Sequence, residues 1–100
     1  MQPLLYLTGS ENLYYGPVVD NAPHQHHALQ LCYQTQHCFT LKIDDKRLHT
    51  QVALIGANSQ HQLDTHGHFC LLLFFDGETH IGKRISAQLL NNKSHIQLPL

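Results

Sequence analysis

Apolar and polar residues alternate along most of this chain, in short runs broken by turn residues roughly every 8–12 positions, the pattern of a β-sandwich or barrel. Residues 4–7 read as a first strand and 13–15 as a second, stopped by Gly16-Pro17, with a short third piece at Val18-Val19. Residues 20–23 read as a loop. From 26 to 33 the alternation is regular: Leu29, Leu31 and Tyr33 share a face with His27, while His26, Ala28, Gln30 and Cys32 share the other, with His24 in phase. Successive strand side chains point to opposite faces, so this split follows from parity alone. One face is apolar; the other is polar and carries histidines.

Further along, Phe39, Leu41 and Ile43 alternate with Thr40 and Lys42, and Asp44-Asp45 is placed for a two-residue hairpin turn. A strand over 48–55 follows and is broken at 56–59, where Asn58 can adopt the left-handed region. Residues 61–63 predict a short strand and 64–68 a loop. Residues 69–75 are apolar on both faces, which predicts a central strand covered on both sides. After Asp76-Gly77 the period changes. Ile81, Ile85 and Leu89 recur every four residues, Thr79 can cap the start and Asn91-Asn92 stops the run. This predicts a helix over about 79–91 with that apolar edge buried, before a tail ending Leu98-Pro99-Leu100.

Composition narrows the reading. The 100 residues suffice for one domain over 1–100, and 42% apolar residues supply one core. Six Lys and Arg against seven Asp and Glu leave a net charge of -1, which argues against nucleic-acid binding by these residues alone and against a polybasic membrane anchor. The longest apolar run, 71–75, is far shorter than the ~20 residues of a membrane span. Met1-Gln2-Pro3-Leu4 does not open a signal peptide. Cys32, Cys38 and Cys70 form an odd set without CxxC, as expected of reduced thiols in a cytoplasmic protein. The unusual feature is ten histidines.

Some of those histidines sit in a familiar order. Pro23-His24-Gln25-His26-His27-Ala28-Leu29-Gln30-Leu31 resembles the opening motif of the cupin-like N-terminal domains of AraC-type transcription regulators. Ala53-Leu54-Ile55 through His61-Gln62-Leu63-Asp64 resembles the second cupin motif, in which a turn delivers a histidine into the barrel. Leu72-Leu73-Phe74-Phe75-Asp76, then Gly82-Lys83-Arg84, resembles the last strand and the start of the following helix, and Tyr15-Gly16-Pro17 fits the early part. The likeness spans roughly 13–90. The sequence departs from the general cupin pattern at three places: Gln30 stands where a metal-binding carboxylate is expected, Gly56-Ala57-Asn58 replaces the Pro-x-Gly turn, and Thr65 replaces an Asn. The resemblance implies an all-β, cupin-like jelly-roll barrel of seven or eight strands over about 4–75, with one C-terminal α-helix.

The resemblance also implies that His24, His26 and His61 converge inside the barrel with Gln30, and Cys32 faces the same interior by parity. Three neutral imidazoles suit a divalent transition metal such as zinc, nickel, copper or iron. The plainer reading is a metal-free ligand pocket in which these groups bond one another and the backbone. His27 points the other way by parity, and His66 and His68 flank Gly67 in a loop better read as solvated than as ligating. A buried Cys32 reads as packing rather than as a nucleophile. No two acids share a strand face as a general acid/base pair would require.

The function that follows is effector sensing and dimerisation in an AraC-type regulator, with a homodimer and a small-molecule effector as partners. DNA would be reached only through a C-terminal domain that these residues do not contain. The rivals are a stand-alone cupin enzyme, an oxygenase or isomerase with His24, His26 and His61 as metal ligands, and a small binding module with neither DNA partner nor chemistry.

Overall fold

The alternating stretches form strands along most of the chain. The computed structural model describes residues 2–8, 11–91 and 93–98, so Met1, Asn92 and the last two residues of the expected tail lie outside the described residues. The elements are β1 (Leu4–Leu7), β2 (Glu11–Gly16), β3 (Ala28–Tyr33), β4 (Phe39–Ile43), β5 (Lys46–Thr50), β6 (Val52–Ile55), β7 (His61–Asp64) and β8 (Cys70–Asp76). Helix α1 (His80–Ile85) then runs into a π-helical turn (Ser86–Leu90), and β9 (His95–Gln97) follows. The fold is thus mostly β, with one short helix near the C-terminus.

All strand pairs are antiparallel. One sheet has the order β1-β2-β8-β3-β6-β9 and the other β5-β4-β7. Two isolated bridges, Val19 with Asp64 and His24 with His61, lay the segment around 19–24 along the free edge of β7. Four positions in each sheet are then filled by strands that alternate in chain order, β2-β8-β3-β6 facing the 19–24 segment, β7, β4 and β5. This is the order of a small jelly roll.

The core lies between the sheets. Cys32 of β3, Phe39, Leu41 and Ile43 of β4, Ala53 and Ile55 of β6, Leu63 of β7, and Cys70 and Leu72 of β8 form one buried cluster. Parity therefore points Gln30 and Cys32 inward and Leu29, Leu31 and Tyr33 outward, as the alternation predicted. The β4–β5 turn has both Asp44 and Asp45 at positive φ (53° and 60°), the conformation of a type I′ hairpin. Asn58 also takes positive φ, at 60°.

Four expectations change. The strand read over 48–55 is two strands, because the chain leaves one sheet at Thr50 and enters the other at Val52; alternation survives such a corner, so the pattern hides it. The 26–33 strand begins only at Ala28. β9 was not expected, and it pairs with β6. The fourth concerns the helix. Thr79 does cap it, accepting a hydrogen bond from Gly82 N at 3.0 Å, and Asn91 closes it in the left-handed conformation. Its buried residues, however, are Gly82 and Leu90, while Ile81 and Leu89 stand 60% and 56% exposed. The π-helical turn holds more residues than an α-turn, so Leu90 rather than Leu89 rotates onto the sheet. There it joins Leu29 and Leu54 in a second cluster on the outer face, with Leu31, Phe75, Ile85 and Ile96 against it. The outer face of β8 is accordingly only partly covered, and its Leu71, Leu73 and Phe75 are half-buried.

Candidate functional site

One mouth of the barrel gathers Asp20, His24, His26, Gln30 and His61. Each is delivered by a backbone arrangement readable in the fold. His61 opens β7 and shares the inward face of Leu63. His24 is its direct antiparallel partner: His24 N donates to His61 O at 2.9 Å and His61 N to His24 O at 2.8 Å. Directly opposed residues put their side chains on the same face, and the two ring centroids are 4.6 Å apart. His26 lies just before β3; its centroid is 5.2 Å from His61, 5.7 Å from His24 and 5.6 Å from the Phe74 ring. The structure therefore brings the three histidines together at the barrel mouth.

Asp20 belongs to the 20–23 segment, which the sequence predicts as a loop. Its backbone N–H donates to Leu63 O at 2.9 Å, and its Oδ2 accepts from Leu63 N at 2.8 Å and from His24 Nε2 at 3.0 Å. Its carbonyl accepts from Gln62 Nε2 at 2.9 Å. Asp20 is thus held against β7 on both sides of its own peptide. Parity was the available signal: position 20 is in phase with His24 and His26.

The hydrogen bonds separate the three histidines into two kinds. His26 has both ring nitrogens engaged, Nδ1 with Ala28 O and Nε2 with Gln30 Oε1, each at 2.9 Å. Two oxygens facing one imidazole would require a second ring proton. Turning the Gln30 amide over removes that need: its NH₂ donates to His26 Nε2, and its oxygen accepts from the Cys32 thiol, whose sulfur lies 3.4 Å from the other amide atom. Cys32 can serve as that donor because burial, with a smaller contribution from Cys70, pushes its thiol far above the usual range. His26, Gln30 and Cys32 so form a closed chain of bonds running into the core.

His61 is different. Its Nδ1 donates to Ser59 O at 2.8 Å, which leaves Nε2 as an unprotonated acceptor. The residue is 1% exposed, and Nε2 has no hydrogen-bond partner among the described residues. Burial lowers the His61 pKa below the ordinary imidazole value; the bond to Ser59 opposes this, and neighbouring His24 and His26 add to it. A ring nitrogen of His24, one of His61 and a carboxylate oxygen of Asp20 all lie within 4.8 Å of one another. Among the described residues, that set and not His24, His26 and His61 is the one with metal-ligand spacing.

Beside these groups lies a cavity of about 330 Å³, open to solvent on one side, walled by the exposed Leu5 with Tyr14, Val18, Leu63, Leu72 and Phe74 and edged by Asp20, His24, His26 and Gln30. Of the five residues expected to line a ligand pocket, His24, His26 and Gln30 edge this cavity. Cys32 is fully buried in the core behind Gln30. His61 instead borders an open cleft beside the β4–β5 hairpin, with Lys42, Asp44, Lys46 and Arg47. Cys70 is also buried, its thiol pushed up to about 11 by burial. The remaining histidines sit elsewhere. His66 is 2.7 Å from Thr40 Oγ1, His68 stacks on His37 with centroids 3.6 Å apart, and His27 is exposed.

No family model matches the chain, and no curated protein matches it in sequence. In structure the chain is similar to the protein NMB1881 from Neisseria meningitidis, with 12% sequence identity, a TM-score of 0.60, and coverage of 74% of this chain and 83% of that one; the likeness is one of fold.

Proposed function

We propose that these residues are the effector-sensing and dimerisation barrel of an AraC-type transcription regulator, whose DNA-binding part lies outside them. The observation that carries the reading is the cavity at the barrel mouth. It is apolar over most of its wall, with a few converging polar groups on one edge, the usual make-up of a small-molecule site. Support comes from where the motif residues fall. Pro23 to Leu31 leads into β3 and through its first four residues, Ala53 to Asp64 covers most of β6, the turn after it and β7, and Leu72 to Asp76 is most of β8. The resemblance is thus to residues that build one cavity.

An oxygenase or isomerase centred on His24, His26 and His61 has less support, because both ring nitrogens of His26 are already bonded. Self-association draws on apolar side chains left in solvent. Leu4, Leu5, Tyr6 and Leu7 are exposed on the edge strand β1, and Ile81 and Leu89 on the helical segment. An apolar edge strand offers unpaired backbone groups to a second chain, here a second copy of this one. No helix among the described residues is long and apolar enough to cross a membrane.

The coding sequence beyond Leu100 tests this reading. It is expected to continue in frame into two helices joined by a tight turn, the second bearing the Lys and Arg that this barrel lacks. A stop codon at that point, or an in-frame segment with no such pair, would overturn it.

A further inference from the structure

We propose that Asp20, His24 and His61 form a binding site for one divalent transition cation of the zinc class, with Asp20 taking the place expected of His26. The donor set is two neutral imidazole nitrogens and one carboxylate oxygen, which suits zinc with a fourth position left open. This rests on independent observations. The three donor atoms already lie within 4.8 Å of one another, against the ~3.3 Å between ligand atoms in a tetrahedral zinc site, so small side-chain rotations close the set. His61 Nε2 is a buried lone pair with no partner among the described residues, an arrangement that is costly unless something binds it. The outer contacts are those of a metal ligand: Ser59 O holds His61 Nδ1–H and fixes the tautomer, and Leu63 N anchors the Asp20 carboxylate. His26 spends both ring nitrogens on groups outside the set, Ala28 and Gln30, whereas the one ring bond of His24 is to Asp20, a fellow donor.

The site has a structural consequence. Asp20 and His24 belong to a segment tied to β7 by two isolated bridges, and His61 belongs to β7 itself. A shared cation would pin that segment to the sheet. Asp20 and His24 also edge the 330 Å³ cavity, so a cation held by them would lie close to a small molecule bound there. Cation binding needs neither DNA nor dimer, so it stands or falls separately from the regulator reading.

The test is a titration of the untagged chain with Zn²⁺ in competition with a chromogenic chelator, and with Co²⁺ for its visible spectrum. One equivalent of each is expected, with Co²⁺ giving the intense bands of a four-coordinate site. Asp20→Asn and the solvent-facing His24→Ala should each weaken binding at least ~10-fold. His26→Ala should change it less than ~3-fold, and His68→Ala likewise. Circular dichroism of each variant reports folding, and His24, half in solvent, is the substitution least able to disturb it. Absence of binding at tens of micromolar metal would overturn the proposal. So would unchanged affinity in folded His24→Ala and Asp20→Asn, or loss of the site in folded His26→Ala.

Discussion

Truncating Leu90 and Leu89 separately should have very unequal consequences for stability, and the difference follows from one turn of helix. Gly82 faces the sheet, where an added Cβ would run into the carbonyl oxygen of Asp76. In a continuous α-helix, seven further residues at about 100° each would return position 89 to within ~20° of that face. The π-helical turn at Ser86–Leu90 delays the return by one residue. Leu90 is consequently 1% exposed, packed with Leu29 and Leu54, while Leu89 is 56% exposed. Leu→Ala at a buried site costs about 2–5 kcal/mol, transfer and cavity together. The outer cluster has only three fully buried members and can partly collapse, so Leu90→Ala belongs near the lower end, about 2–3 kcal/mol. For a domain of this size each kcal/mol moves Tm by about 4–8 °C, which gives a fall of about 10–20 °C. Leu89→Ala should stay within about 0.5 kcal/mol for the protomer, and any larger effect should depend on protein concentration through self-association. Urea unfolding at two protein concentrations separates the terms. A Leu89→Ala loss equal to or larger than that of Leu90→Ala, independent of concentration, would refute the assigned phase of the helix.

The native protein at pH 8 should show one rapidly reacting thiol, Cys38, toward a disulfide reagent; Cys32 and Cys70 are buried with raised pKa values and should react only after denaturation. Two or more fast thiols would contradict the core. In metal-free buffer, stability should fall on acidification: above about pH 6.5 His61 is neutral in both states, and below it the unfolded chain takes up the proton first, because the folded pKa is lower. His61→Gln should shrink this loss between pH 6.5 and 5.5, measured as a urea midpoint, and an unchanged slope would show that His61 does not carry it. Gly82→Ala should lower Tm despite the better helix propensity of alanine, since the Asp76 carbonyl leaves the new methyl no room; a rise in Tm would mean that the helix sits further from the sheet.

Local alternation made most of the fold legible. Leu29, Leu31 and Tyr33 against Gln30 and Cys32 separate the faces of β3, and the unbroken apolar run of β8 marks an interior strand, which lies between β2 and β3. Features decided by tertiary pairing were not legible. β9 is too short for any period to show. The break between β5 and β6 preserves alternation, and the π-helical turn leaves the four-residue spacing of Ile81, Ile85 and Leu89 intact while moving Leu89 into solvent. At the site, parity put His24 and His26 on one side even though neither lies in a strand. Their different roles came from partners: Gln30 for His26, and Asp20 for His24. Asp20 was hidden because its anchor, Leu63, is 43 residues away in the chain.

In the proposed role this barrel would join two copies of itself, so that an attached reader meets DNA twice. Fusing residues 1–100 to a monomeric DNA-binding domain, and measuring occupancy of an operator with two half-sites at physiological salt, tests that claim most directly. The fusion should occupy the paired operator at least ~100-fold more tightly than the unfused reader, through the raised effective concentration of the second head, while showing no such gain on a single half-site. Equal affinity of fused and unfused reader for the paired operator would contradict the account.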